Sequence, residues 1–237
     1  MQLDILITIF FTSIVQSIFG TGVLLIGTPI LLILGYDFQF ALIILLPTSL
    51  LINLSQLINK YNHVDFIFFK NLVLWSIPQV VVFLYFISFN VLNINLFIGI
   101  LLIIFALKDI FPQVQKSLNN IIRYEKIFLI LTGIIHGITN LGGALLSAAV
   151  YNKNLSKIET RSTIAACYLT FAVFQIITLI LFIDNKDFFI MFNLRYWILG
   201  LILFLLTEKF IFSLINEKNY SRFFTIFILA IGILILF

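Results

Sequence analysis

The 237-residue chain is 62% hydrophobic, only 10% of its residues are charged, and its mean hydropathy is +1.18. Soluble domains carry about 25% charged residues, so this composition excludes an ordinary soluble domain and predicts a polytopic membrane protein. At roughly 20 residues per crossing, about eight to ten membrane elements fill the chain. The net charge of +4 does not indicate nucleic-acid binding, because Lys and Arg lie in short connections between apolar runs, where the positive-inside rule places them.

Eight apolar runs follow one another along the chain, and two of them are interrupted. The runs span residues 3–34, 40–58, 66–89, 96–111, 127–150, 158–183, 188–206 and 223–237. The first contains QSIFGTGVLLIGTP at residues 16–29, and the fifth contains HGITNLGGALLS at residues 136–147. Glycines and polar residues at membrane depth predict a broken helix, whose free backbone N–H groups need a polar cavity or packed protein because lipid cannot bind them. We therefore predict that the two breaks face each other and form a binding site.

The interrupted runs belong to two related halves of the chain. Five residues of the first half recur in the second at a constant offset of 122, namely Asp65, Phe66, Asn71, Leu72 and Trp75 as Asp187, Phe188, Asn193, Leu194 and Trp197. So many matches at one offset, one of them a tryptophan, indicate an internal duplication. We predict a first membrane repeat at residues 1–112, a second at residues 119–237 and an inter-repeat loop at residues 113–118.

The distribution of Lys and Arg predicts how the repeats are oriented. If each interrupted run is a hairpin of two short helices, each repeat has five elements, and the odd number inverts the second repeat. Twelve of the 14 Lys and Arg residues then fall on one face of the membrane, whereas eight plain crossings would split them eight to six. The predicted fold class is therefore all-α, a polytopic membrane helix bundle of two inverted repeats, each with a broken glycine-rich first segment. A bundle of eight plain crossings is the alternative.

Glycines and neutral polar residues on the breaks and on the helices after them are the candidate binding residues. A half-helix that restarts after a break points its N–H groups and its positive dipole end at the break, which suits an anion. For either break alone, small-residue helix packing is an equally good explanation, but two breaks at matching positions favour a site. The predicted substrate-binding residues are Gln16, Ser17, Gly20, Thr21, Gly22, Asn53, Gln56, His136, Thr139, Asn140, Gly142, Gly143 and Gln175.

Charged and titratable residues are scarce inside the apolar runs. The acidic residues fall at or near the ends of the predicted elements, so no carboxylate is placed to carry Na⁺ or H⁺ through the centre. His136 is the one titratable side chain inside a break, and a packing role competes with a proton- or anion-binding role. The positive-inside rule is sufficient to explain Arg161, whereas Arg195 lies on the minority face. Two histidines, one cysteine and no buried acidic pair predict no metal, no cofactor and no enzymatic activity.

Three stretches of the sequence resemble the sulfite exporter TauE/SafE family. They are FGTGVLLIGTPILLILGYDFQFALIILLPTS from residue 19, HVDF at residues 63–66, and GIIHGITNLGGALLSAAV with the later RSTIAA. The resemblance implies a multi-pass plasma-membrane transporter that carries small sulfur-containing anions, such as sulfite, sulfonates or thiosulfate, in or out, and that has no nucleic-acid partner. The first break has Gly20, Thr21 and Gly22 where the family often has a run of glycines, and Val150 stands where a proline is usual.

The leading functional hypothesis is a secondary transporter that works by alternating access of its two halves around the paired breaks. An anion channel and a non-transporting membrane assembly subunit are the alternatives. The sequence leaves open the identity of the substrate, the direction of transport, the coupling ion and the oligomeric state, a homo-oligomer included.

Overall fold

The computed structural model of the protein describes residues 2–58, 60–89, 94–153, 155–182, 193–211, 229 and 231–236. This part of the chain is helical and contains no strand, which confirms the predicted all-α fold class. The helices are α1 Leu3–Phe19, α2 Val23–Ile33, α3 Phe38–Leu57, α4 Phe66–Trp75, α5 Ile77–Phe89, α6 Asn95–Ile110, α7 Pro112–Ile122, α8 Glu125–Thr139, α9 Gly142–Tyr151, α10 Lys157–Phe182 and α11 Leu194–Ile211.

Three of the described segments are long and apolar enough to cross a membrane. They are Phe38–Leu57, Phe66–Phe89, in which α4 and α5 follow each other through Ser76, and Lys157–Phe182. By contrast, α1, α2 and α9 are shorter apolar helices. Large apolar side chains are exposed on the outer faces, as with Ile67 at 77% and Leu181 at 68%, which is the surface that a membrane helix bundle presents to lipid.

The first interrupted run folds as a hairpin, called hairpin 1, made of α1 and α2. Gly20 ends α1 with a φ of 73°, in the left-handed region that favours glycine. The hydroxyl of Tyr36, just after α2, donates to Asp4 Oδ2 at 2.5 Å and lies 3.0 Å from Gln2 Oε1. The Asp4 carboxylate raises the pKa of Tyr36 to about 12, so this hydroxyl stays a donor. Hairpin 1 therefore begins and ends on the same side of the bundle.

The second interrupted run folds as hairpin 2, made of α8 and α9. Asn140 ends α8 with a φ of 63° and is the one non-glycine residue with a positive φ in the described part of the chain. Asparagine tolerates this conformation better than most residues. After α9, Lys153 Nζ lies 3.3 Å from Glu125 Oε2 at the start of α8. The two ends of hairpin 2 are thus held together by an ion pair, as the ends of hairpin 1 are by Tyr36.

The two hairpins point in opposite directions. Lys153, at the open end of hairpin 2, also pairs with Asp65 Oδ2 at 3.3 Å, and the Asp65 N–H donates to Thr163 Oγ1 near the start of α10. The closed end of hairpin 1 lies at the same end of α10, because Arg161 Nη2 donates to the Ser17 carbonyl at 3.2 Å. This arrangement agrees with an inverted second half, while the duplication itself stays a prediction.

Small residues bring the helices of the two halves into contact. Helices α3 and α10 pack on each other, α1 packs on α11, and α8 packs on α5. A Cβ built on Gly133 would overlap the Ser76 carbonyl, and one on Gly137 would lie 2.9 Å from the Val80 carbonyl. On α11, a Cβ at Gly200 would meet side chains of both α1 and α3. For these three glycines, close helix packing is a sufficient explanation.

The connection between the two halves is helical. Residues 113–118, predicted to be an inter-repeat loop, lie inside α7, whose polar side chains are exposed while Leu118 and Ile122 pack against the core. This pattern of one apolar and one polar face explains why the segment forms a helix at the surface.

Of the residues that define the sequence repeat, Asp187 and Phe188 lie outside the described residues.

The hairpin topology can be tested with single cysteines in a Cys167→Ala background, since Cys167 is buried. Leu3→Cys and Asp37→Cys, at exposed positions flanking hairpin 1, are expected to react with a membrane-impermeant maleimide from the same face. Lys60→Cys, beyond α3, should react from the opposite face. If positions 3 and 37 were labelled from opposite faces, α1 and α2 would form one plain crossing.

Candidate functional site

Gln16 closes the break in hairpin 1. Its side chain is 1% exposed, and its Oε1 accepts the N–H of Val23, the first residue of α2, at 2.9 Å. Its Nε2 donates to the Gly20 carbonyl at 3.3 Å and lies 3.4 Å from Asn53 Oδ1 on α3. One buried amide therefore binds backbone groups on both sides of the break, where no water or lipid would satisfy them.

Helix α3 carries two buried amide side chains, Asn53, which contacts hairpin 1, and Gln56. Asn53 Nδ2 donates to the Ser49 carbonyl at 2.7 Å and lies 3.0 Å from Ser49 Oγ. Gln56, three residues further on, is 4% exposed, and neither of its side-chain polar atoms has a hydrogen-bond partner among the described residues. Buried polar groups are normally paired, so Gln56 marks a place where a polar ligand or water fits.

Four side chains at the break in hairpin 2 are connected by a series of hydrogen bonds. His136, fully buried, has Nε2 3.1 Å from Gln175 Oε1 on α10. Gln175 Nε2 donates to Asn140 Oδ1 at 3.3 Å, and Asn140 Nδ2 donates to Thr28 Oγ1 at 2.9 Å. With the ring hydrogen on Nε2, all three bonds run in one direction, from His136 to Thr28. Because Thr28 belongs to α2, this series of hydrogen bonds joins the tip of hairpin 2 to the middle of α2 in hairpin 1.

The two tips use corresponding positions. Gln16 stands four residues before Gly20, and His136 stands four residues before Asn140, the left-handed residues that end α1 and α8. Each also forms a hydrogen bond with an amide side chain on the next long helix, Gln16 with Asn53 and His136 with Gln175. Asn53 and Gln175 are separated by the same 122 residues as the sequence repeat. The structure therefore gives both tips the same hydrogen-bonded plan with different side chains.

Gly22 and Gly142 let the chain turn back at the two tips. A Cβ on Gly22 would lie 2.6 Å from Gln16 N and 3.0 Å from the Thr12 carbonyl. A Cβ on Gly142 would lie 2.5 Å from the Thr132 carbonyl and 2.9 Å from the backbone N of His136, the residue that corresponds to Gln16. At both tips the obstacle is backbone of the preceding helix, which cannot move aside, so glycine is required by close approach.

Gly143 is required by a different neighbour, the side chain of Tyr168. A Cβ at Gly143 would overlap the hydroxyl of Tyr168, which is 1% exposed in the middle of α10. The sequence analysis did not identify Tyr168, because an aromatic residue in an apolar run usually packs against lipid or core. The only signal was a phenol hydroxyl in a stretch with several other polar side chains, TIAACYLT.

All thirteen predicted binding residues are buried, but their polar groups are not equally available to a ligand. Two of them already use their hydroxyls within the hairpins, since Ser17 Oγ donates to the Ile14 carbonyl and Thr139 Oγ1 to the Ile135 carbonyl, both at 2.7 Å. Such bonds to the preceding turn are a common structural use of serine and threonine in membrane helices. These two side chains therefore have less to offer a ligand than Gln56, whose polar atoms are unpaired among the described residues.

Arg161 is the cation next to a tip in the described part of the chain. Its Nη2 lies 2.9 Å from Glu208 Oε1 on α11, and the two side chains are only 16% and 23% exposed. A Cβ at Gly20 would lie 4.0 Å from Arg161 Cγ. By contrast, Arg195 and His63 are exposed. The tips are thus lined by neutral donors, with one partly buried ion pair at the end of hairpin 1.

The sequence was also compared with known proteins. Residues 5–235 match the family model described as Sulfite exporter TauE/SafE, a match that includes both hairpins and the helices packed against them. No curated protein and no solved structure gives a significant match. The match confirms the resemblance that the glycine-containing motifs predicted.

The requirement for glycine at the two tips can be tested by alanine substitution. We expect Gly22→Ala and Gly142→Ala each to lower the free energy of unfolding by about 1–3 kcal/mol, because the new methyl group collides with backbone. Gly27→Ala is the matched control, since its methyl group would meet only side-chain atoms of Leu45. Thermal unfolding in detergent measures the effect, and three equal shifts would contradict the assignment.

The equivalence of Gln16 and His136 predicts which substitutions position 136 accepts. His136→Gln keeps a donor for Gln175 Oε1 and should be close to wild type in stability. His136→Leu leaves that buried oxygen without a donor, which costs about 1–3 kcal/mol. Thermal unfolding of the two variants distinguishes these outcomes, and equal stability of both would show that the hydrogen bond to Gln175 contributes little.

Proposed function

The chain belongs to the sulfite exporter TauE/SafE family, whose members are membrane transporters of sulfite or related anions. From this premise we propose that the protein is a secondary transporter of the plasma membrane, and that it moves a small sulfur oxyanion such as sulfite, a sulfonate or thiosulfate between the tips of its two hairpins. The observation that carries this proposal is the bond between Asn140 and Thr28, which brings a break in one half of the chain against the broken segment of the other.

The chemistry of the two tips suits an anion. Helices α2 and α9 both begin at a tip, so the N–H groups of their first turns and their positive dipole ends lie there. The side chains at the tips, including Gln16 and Asn140, are neutral amides and add no negative charge. A cluster of this kind can replace the water around a small oxyanion and still release it, because neutral donors hold an anion less tightly than a buried cation does.

Alternating access is supported by the opposed directions of the hairpins, because each hairpin can open toward one face only. At the tip of hairpin 1, Arg161 holds α10 to α11 through Glu208. The corresponding residue of the other half is Gln39, 122 positions earlier, which donates to the Ser88 carbonyl of α5 at 2.8 Å. Both faces thus have a contact between the start of a long helix and the end of its neighbour, and these two contacts are the candidate gates.

Transport can be measured in proteoliposomes as uptake of labelled sulfite or methanesulfonate. We expect saturable uptake by the wild-type protein, and a decrease of about 10-fold or more for Asn140→Gly, which keeps the left-handed backbone but removes the amide. Asn152→Gly, at an exposed position after α9, is the matched control and should transport normally.

The outcomes separate the proposal from its alternatives. Normal uptake by Asn140→Gly would show that the hairpin tip is not the binding site. Single-channel conductance without saturation would identify an anion channel. No movement of any oxyanion by a folded wild-type protein would overturn the transporter assignment and favour an assembly subunit.

A further inference from the structure

The hydroxyl of Tyr168 is buried without a hydrogen-bond partner at the junction of the two hairpins. Tyr168 is 1% exposed, and within the described residues its Oη makes no hydrogen bond. The Thr21 hydroxyl at the tip of hairpin 1 and the Ser147 hydroxyl on α9 lie beside it, but neither forms a well-aligned hydrogen bond with it. Buried hydroxyls are normally paired, so this one requires an explanation.

The Tyr168 hydroxyl points at the N-terminus of a helix. It lies against Gly143, in the first turn of the ten-residue helix α9, where any Cβ would displace it. The first-turn N–H groups of a helix have no acceptor within that helix, and they mark its positive dipole end. Ser147 Oγ donates to the Gly143 carbonyl at 2.9 Å, so the Ser147 hydrogen is already used. Tyr168, Thr21 and the start of α9 are therefore neighbouring groups that can still donate to a ligand.

We propose that Tyr168, Thr21 and the N-terminus of α9 form an oxyanion subsite that selects singly charged oxyanions. This inference rests on the proposed transport function and narrows its substrate class. An oxyanion with one negative charge, such as bisulfite or an alkyl sulfonate, accepts hydrogen bonds from all three donors. Occupation of the subsite also gives the Tyr168 hydroxyl the partner that it lacks in the protein alone.

The selection by charge follows because, among the described residues, the cations Arg161 on α10 and Lys153 just beyond α9 are already in ion pairs. On α10 itself, Arg161 is paired with Glu208, and beyond α9, Lys153 is paired with Asp65 and Glu125. The cost of removing an ion from water rises with the square of its charge, and neutral donors compensate only part of it. A dianion such as sulfate or fully deprotonated sulfite is therefore excluded, whereas a monoanion is accepted.

The first test compares substrates in proteoliposomes that contain the wild-type protein. Methanesulfonate, which carries one charge at all working pH values, should be taken up at least about 10-fold better than sulfate. Sulfite uptake should rise as the pH falls and bisulfite replaces sulfite, while methanesulfonate uptake stays constant. Equal uptake of sulfate and methanesulfonate would overturn the charge selection.

The second test is Tyr168→Phe, which removes only the hydroxyl. Loss of one hydrogen bond to a charged ligand should raise KM for methanesulfonate about 10- to 100-fold. The thermal stability of the ligand-free variant should be unchanged or higher, because an unpaired hydroxyl has been removed, but methanesulfonate should no longer raise it. Thr21→Val should give the same loss, and Tyr124→Phe, at an exposed position before α8, is the matched control.

The results distinguish this inference from the function on which it rests. If the wild-type protein carries methanesulfonate and Tyr168→Phe carries it with an unchanged KM, the subsite is wrong and the transport function stands. If the folded wild-type protein carries no oxyanion at all, the transport function is wrong and the subsite has no substrate. An unstable Tyr168→Phe protein would show a structural role for the hydroxyl and would also overturn the inference.

Discussion

A helix that breaks inside a bilayer releases backbone N–H and C=O groups that lipid cannot bind, and the structure is built around satisfying them. In hairpin 1 the side chain of Gln16 binds the first N–H of α2 and the Gly20 carbonyl. In hairpin 2, Thr139 Oγ1 accepts the N–H of Leu141 at 3.2 Å, and side-chain hydrogen bonds from His136 to Thr28 hold this tip against the other half. These contacts require α3 and α10, which carry the partner amides, to lie at the centre of the bundle. The same groups that stabilise the breaks also make the interior of the bundle polar at the two tips.

The two halves share a plan but not a chemistry. Gln16 and Gly20 stand at the first tip, where His136 and Asn140 stand at the second. The second tip thus has an aromatic ring where the first has an amide, and this ring stacks on Phe171 of α10. Likewise, the ion pair between Arg161 and Glu208 at one face corresponds to a neutral hydrogen bond from Gln39 to the Ser88 carbonyl at the other face. The contact at one face is therefore charged, and the corresponding contact at the other face is neutral.

The glycines of this chain serve three different purposes, which separates the two explanations that the sequence left open. Gly133, Gly137 and Gly200 allow close packing of helices, as small residues do in many membrane bundles. Gly22 and Gly142 allow the chain to turn back against its own backbone. Gly143 makes room for a buried hydroxyl on another helix. Composition and spacing cannot distinguish these roles, because each depends on which atoms of distant residues lie against the glycine.

The sequence by itself determined the membrane class, the all-α fold and the two breaks, because hydropathy, glycine and charge placement act locally and through the bilayer. It also identified most of the polar residues at the tips, including Gln16, His136 and Asn140. Only the tertiary structure decided that Ser17 and Thr139 bond their own helices and that Tyr168 reaches Gly143. These features depend on side-chain directions and on contacts between residues far apart in the chain, which no local pattern specifies.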